Sequence, residues 1–386
     1  GHDLGPLAAT TLSIVSTAAT NTSVITNIDS LTANFRRAGV ALTINEQNAL
    51  TLVDIDTNDG NFIVNSSQVG FGNITVADVN AGTGRVTLNT IGFGGAVVDG
   101  DDTTTDILAG STELIATTGI AGGASVNAEL EIDTGSLAAR TVSGGIRIAD
   151  IANGLAIDTV GVTAGVAITG AAATLDGIRI RSSGALSVNQ TVFNSQGGDI
   201  TLAAEGNGSG DDLAIASGIT ASAAAGNITL YAGDDIVQSA GSVTAAGNGN
   251  ITLIAGVVFN GGGTPQAGNA SSDITQSGGE VVATNGAVIL RASENVSITN
   301  VRSAGAVSIT ADDGYADFVL AVRDNSGWSR ESGGVASEEV SGPSVSLRSG
   351  GGGGGGAAGA FEGVGSAGVG VWWGVGGGGW GGGGGG

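Results

Sequence analysis

Short alternations of apolar and polar residues recur along the chain. In Gly226-Asn227-Ile228-Thr229-Leu230 an extended backbone places Ile228 and Leu230 on one face and Thr229 on the other. The same five residue types return 23 positions later as Gly249-Asn250-Ile251-Thr252-Leu253. Between the copies lie two shorter apolar pieces, Ile236-Val237 and Ser242-Val243-Thr244, each bounded by Gly, Asn or Asp. The pattern predicts an all-β chain folded as a right-handed parallel β-helix, a β-solenoid, with three-strand coils of about 19–23 residues. Ile228, Leu230, Ile236, Val237 and Val243 are the predicted core of one coil. Ile251 and Leu253 begin the next. Asn227 and Asp235 fall at its corners, where Gly and Asn are expected to supply left-handed backbone. One corner slot is expected to hold Asn73, Asp199, Asn227, Asn250, Asp273 and Asn295 in a side-chain ladder.

The beat sets the domain plan. Residues 1–30 carry only weak alternation and read either as first coils or as a cap or joining segment. Residues 31–313 read as the shaft. Within it, 92–112 is looser and is expected to project as a loop, and 257–270 reads as a corner insertion. Residues 314–386 lose the beat. In 350–386, 23 of 37 residues are Gly, the composition of a flexible tail or joining segment. No capped apolar stripe of helical period occurs. At about 4.8 Å per coil, roughly 14 coils would make a shaft on the order of 70 Å long.

Composition supports a narrow core. The chain has 73 Gly, 3 Pro and only 4% aromatic residues, too few large side chains to fill a wide globule. All 12 basic residues are Arg, against 35 acidic ones, for a net charge of −23. Nucleic acid is excluded as a partner, because phosphate binding needs clustered Lys and Arg. Without cysteine there is no disulfide framework and no thiolate metal site. No apolar run is long enough to predict a membrane span.

The Gly-Asn-Ile-Thr-Leu units, and the match of Ser272-Asp-Ile-Thr-Gln-Ser-Gly-Gly-Glu-Val281 to Asp234-Asp-Ile-Val-Gln-Ser-Ala-Gly-Ser-Val243, resemble the filamentous-haemagglutinin-like surface proteins of bacteria. The likeness covers about residues 30–310. It implies a secreted β-helical adhesin shaft at the cell surface. The Asn-Pro export motifs of that class have no counterpart here.

Candidate chemistry is sparse. Asp99, Asp101, Asp102 and Asp106 form the densest acidic cluster, and oxygen ligands in a Gly-rich loop suit Ca²⁺. Asp54 to Gly60 has the look of a calcium loop, but Gly comes one place late and Asn65 stands at the twelfth position, so an Asx turn after a strand is the better reading. Arg147, Arg179 and Arg181 sit at outward positions of Ile-Arg-Ile strands, either as a strip for an acidic glycan or as charges offset by neighbouring acids. The threonine ladder Thr201, Thr229 and Thr252 offers a flat polar face. His2 is the sole histidine, and no catalytic residue or cofactor site is predicted. The expected function is an extracellular structural shaft that assembles end to end with copies of itself into an adhesive fibre, touching surface glycans or other cells. The alternative is a β-helix that binds or cleaves polysaccharide, since such folds also host lyases and hydrolases.

Overall fold

A computed structural model describes residues 7–66, 72–91, 94–100, 103–121, 129–152, 154–170, 176–222, 225–259, 265–267, 271–311, 339–341 and 344–349. The chain is a parallel β-helix. Described regular structure is all strand, and no described helix is long and apolar enough to cross a membrane.

The coil predicted from residues 226–253 is present with the expected register. Ile228 pairs with Ile251, Thr229 with Thr252 and Leu230 with Leu253. Three columns of strands run through the C-terminal half. Ile178–Ser182, Ile200–Ala204, Ile228–Ala232, Ile251–Ala255, Val288–Ala292 and Ala306–Ala311 stack as the long face. Ala185–Val188, Leu213–Ile215, Ile236–Gln238 and Ile274–Gln276 form the second face. Val192–Asn194, Ile219–Ala221, Ser242–Ala245 and Glu280–Ala283 form the third.

The coils are not uniform along the shaft. In the N-terminal half the long face is Phe62–Ser66, Arg85–Asn89, Ser111–Ala116 and Ser136–Thr141. Ser136–Thr141 then forks: its first residues pair with Gly154–Ile157 and its last three with Val166–Ile168. On the opposite side Ile120 and Leu130–Thr134, which lead two short columns, converge on Ile146–Asp150. The long face therefore changes sides across one coil, which is why the sequence beat blurs there.

Alternate residues fill a single continuous core from Val24 to Ala311. Ile228, Leu230, Ile251 and Leu253 are at most 2% exposed, and each such side chain contributes about 1.5–3 kcal/mol on burial. Val237 is a correction. It faces outward, and Gln238 takes the inward place instead. Gln276 stacks on Gln238 inside the coil, its Nε2 donating to Gln238 Oε1 at 3.1 Å. Gln276 Oε1 accepts from the backbone of Thr299 and Asn300 at 2.9 and 2.8 Å. The Gln of the Asp-Ile-x-Gln-Ser motif thus satisfies corner backbone from within.

The corner glycines also act differently from expectation. Gly226, Gly249, Gly286 and Gly305 are not among the residues with positive φ. A Cβ at any of them would instead run into the carbonyl oxygen of the glycine one coil below: Gly198 under Gly226, Gly226 under Gly249, Gly249 under Gly286, Gly286 under Gly305. Glycine is required here for close approach of stacked backbones.

The insertions leave the stack without breaking it. Residues 92–112, expected to project, include Val97–Asp99 and Ile107–Ala109, both of them rungs of the stack. Val257–Phe259 and Pro265–Ala267 form an antiparallel hairpin at the expected corner insertion. A second hairpin, Thr159–Val160 with Thr163–Ala164, was not anticipated. Buried Glu113 anchors it, accepting from Val162 N at 2.9 Å and Thr163 N at 3.0 Å. At the N-terminal end Leu7–Ser16 pairs in parallel with Thr22–Phe35, as a first coil. Beyond residue 313, Glu339–Ser341 and Ser344–Ser349 continue two columns. The rest of the predicted tail, and His2, lie outside the described residues.

Gly249→Ala should lower stability by about 3 kcal/mol, because the methyl group overlaps backbone that cannot move without unstacking a coil. Gly39, with φ +75° and open space around it, should cost only about 1 kcal/mol as Ala. Thermal melts of the two variants against the parent check the order.

Candidate metal centre

The strand register builds an acidic site from three segments. Val97–Asp99 ends at Asp99. Asp106 immediately precedes Ile107–Ala109, and Glu131 is the second residue of Leu130–Thr134. Because Ile107 pairs with Ile132, Asp106 lies directly beneath Glu131 in the next coil. Asp106 N donates to Glu131 O at 2.9 Å, and Glu131 N donates to Asp106 Oδ2 at 2.9 Å. One carboxylate oxygen from each of Asp99, Asp106 and Glu131 lies within 4.8 Å of the others. Exposure is 9% for Asp99, 0% for Asp106 and 5% for Glu131.

Burial pushes the Glu131 carboxyl up from its ordinary 4.5 to about 7, and the neighbouring charge of Asp99 adds to the rise. Glu131 Oε2 is buried and receives no hydrogen bond. Asp150 Oδ1 and Glu205 Oε1 are likewise buried without a hydrogen bond, whereas two other buried carboxylates, Glu46 and Glu113, are fully supplied. Glu46 accepts from Thr26 Oγ1 at 2.6 Å and from the backbone of Ile28, Gln47 and Asn48. Glu113 holds Thr87 Oγ1 as well as the hairpin.

Next to this cluster lies an ion network. Glu129 Oε1 forms an ion pair with Arg179 Nε at 3.0 Å, Glu129 Oε2 accepts from Arg181 Nε at 2.5 Å, and Arg181 Nη1 donates to Glu205 Oε2 at 3.3 Å. Of the predicted arginine strip, Arg179 and Arg181 are thus offset by neighbouring acids, while Arg147 is exposed beneath Arg179.

Of the four aspartates expected to hold calcium, the structure brings Asp99 and Asp106 together. Asp101 and Asp102 lie outside the described residues. Glu131, the third carboxylate of the cluster, is not among the predicted site residues. Its signal was present in Ala128-Glu-Leu-Glu-Ile132, where Glu129 and Glu131 share the face opposite the core residues, but only the coil stacking assigns one to arginine and the other to Asp106. The Asp54–Gly60 segment is an Asx turn, as preferred: Asp56 Oδ1 accepts from Asn58 N at 2.8 Å. Asn58 and Asp59 have positive φ, and Asp59 Oδ1 reaches Thr83 N one coil on at 2.9 Å.

The asparagine ladder is real but splits between corners. Asp199 Oδ1 accepts from Asn227 N, Asn227 Oδ1 from Asn250 N and Asn250 Oδ1 from Ala287 N, at 2.8–2.9 Å. Asp273 and Asn295 belong to a different column. There Asp235 Oδ1 accepts from Asp273 N at 2.7 Å and Asp273 Oδ1 from Asn295 N at 2.8 Å. Asn73 serves Ala96 N in the N-terminal half. The threonine ladder covers Thr201, Thr229 and Thr252, bounded by Arg179 below and Ile289 above.

Comparison with known proteins finds no matching family model, no matching curated protein and no matching solved structure.

Two outcomes follow from the acid placement. The carboxyls of Glu131, Asp150, Glu205, Asp212 and Asp235 are all held above their ordinary values, chiefly by burial. A folded state that holds these protons more tightly than the unfolded chain gains stability as pH falls. In chelator, the melting temperature should therefore rise from pH 8 to pH 5, the Glu131 contribution entering as pH drops through about 7. Separately, Asp235→Asn keeps the oxygen that receives Asp273 N and removes a charge flanked by Asp234, Asp212 and Asp273. This variant should melt a few degrees higher than the parent at pH 7, as read by circular dichroism.

Proposed function

We propose that this chain is the structural shaft of an extracellular, cell-surface fibre. It lengthens by end-to-end addition of copies of itself and meets surface glycans or other cells along its flanks. The observation that carries this reading is the uninterrupted parallel stacking from Leu7–Ser16 to Ser344–Ser349, in which interior rungs are paired on both sides. Among the described residues, Leu7–Ser16 pairs on one edge only. A ten-residue strand whose other edge is unpaired among the described residues is a template for strand addition. Its core-facing side chains are those of an incomplete coil: Leu12 and Ile14 pack on the core but are only partly buried. Placement outside the cell follows from the resemblance of the repeats to secreted adhesin shafts.

The edge geometry defines a test. Ser16 O accepts from Arg36 N at 3.0 Å. Backbone groups alternate sides along a strand, so the N–H of Ser13 points away from its paired neighbour and toward an incoming strand. Ser13→Pro removes that donor and leaves the internal pairing in place. Electron microscopy and sedimentation should show concentration-dependent rods for the parent protein and at least tenfold weaker assembly for the variant, with unchanged circular dichroism. A parent protein that stays monomeric at high concentration, with and without calcium, would rule out the fibre.

A further inference from the structure

We propose that Asp99, Asp106 and Glu131 form a calcium site that clamps two successive coils of the shaft together. The inference does not depend on fibre assembly. The site is built by the fold: Asp106 and Glu131 occupy facing positions in adjacent coils, 25 residues apart in the chain, and Asp99 closes it from the end of the preceding strand of the Asp106 coil.

Three observations point to a cation. The first is spacing. Two ligands of one Ca²⁺ at about 2.4 Å can be at most about 4.8 Å apart, and one oxygen of each carboxylate meets that limit. The second is the state of Glu131. It is 5% exposed, its backbone N–H already donates to Asp106 Oδ2, and its own Oε2 is buried with no donor on it. Glu46 and Glu113, buried elsewhere in the shaft, have donors on both oxygens. The third is charge. Three acids converge, and the nearby cation, Arg181, is committed to Glu129 and Glu205. Ionised carboxylates drawn this close repel one another unless a proton or a cation lies between them.

The ligand set selects the ion. All the donors are oxygens, which disfavours zinc and copper in this chain without cysteine. Mg²⁺ retains several waters and demands near-ideal octahedral geometry, whereas Ca²⁺ accepts irregular carboxylate cages. Three monovalent ligands without an EF-type loop suit the weak end of the calcium range, on the order of 10⁻⁴–10⁻³ M, typical of extracellular modules.

The experiment is calorimetric titration of the chelator-treated, full-length protein with CaCl₂ at pH 8, alongside thermal melts in 5 mM CaCl₂, 5 mM MgCl₂ and NaCl of matched ionic strength. One calcium ion per chain is expected, with a melting temperature several degrees higher in CaCl₂ than in MgCl₂ or NaCl. Glu131→Gln keeps the side-chain shape and should weaken calcium binding at least tenfold and remove the specific shift. Asp211→Asn, at a corner remote from the site in the stack, should leave both intact and controls for general screening of the acidic shaft. No calcium heat in the parent, an equal shift in MgCl₂, or an undiminished response in Glu131→Gln would each overturn the site. Should Glu131→Gln fail to fold, Asp106→Asn is read by the same titration with the same expected loss.

Discussion

The constraint on which everything else depends is the vertical register of the coils. Parallel pairing at about 4.8 Å places each residue directly over its counterpart in the coil below. Leu230 therefore sits on Leu202 and under Leu253, and a polar residue at an inward position must find its partner in the stack. Gln238 and Gln276 do so by pairing with each other and with corner backbone. The glycine columns have the same origin. Once backbone turns are stacked this closely, a side chain at Gly249 would occupy the space of the Gly226 carbonyl.

Stacking is unforgiving toward charge. Like charges in one column face each other at the separation of a hydrogen-bonded pair. The shaft carries a large acidic excess and deals with it in three ways. Glu46 turns inward and Glu113 lies on the outer face beneath the hairpin, and both collect backbone donors, so that the carboxylate holds a corner or a hairpin in place. Glu129 and Glu205 meet Arg179 and Arg181. Asp199 and Asp273 accept amide protons from the coil above, the role that Asn227 and Asn250 fill without charge. In the Asp99, Asp106 and Glu131 cluster Asp106 likewise accepts an amide proton from the coil above, but three carboxylates still converge there, the arrangement for which a calcium ion is proposed.

The change of long face near residue 140 bears on mechanics as well as on reading the chain. At Ser136–Thr141 one strand supports two, and at Ile146–Asp150 two columns rest on one. The hairpin fixed by Glu113 packs beside this junction, and both the arginine network and the acidic cluster draw on Leu130–Thr134 and its flank. The polar chemistry of the shaft is concentrated where its geometry is least regular.

By itself the sequence determined the parity of the strands. Alternation in Gly-Asn-Ile-Thr-Leu states which side chains are buried, and repetition states that the strands stack rather than pair in hairpins. The core, the long face of the C-terminal half and the Asx turn at Asp56 were legible for that reason. Short pieces were less so: in Ile236-Val237-Gln238 two apolar residues and one polar residue do not fix a phase, and the coil closed on Gln238. Tertiary structure alone decided which distant residues meet. Loops between rungs vary in length, so that hydrogen-bonded ladder neighbours lie 23, 28 or 37 residues apart, and no fixed spacing in the chain leads from Asp106 to Glu131 or from Glu129 to Arg181. The local pattern determines how each strand faces. The accumulated lengths of the corners determine which strand it faces, and with that the chemistry of the site.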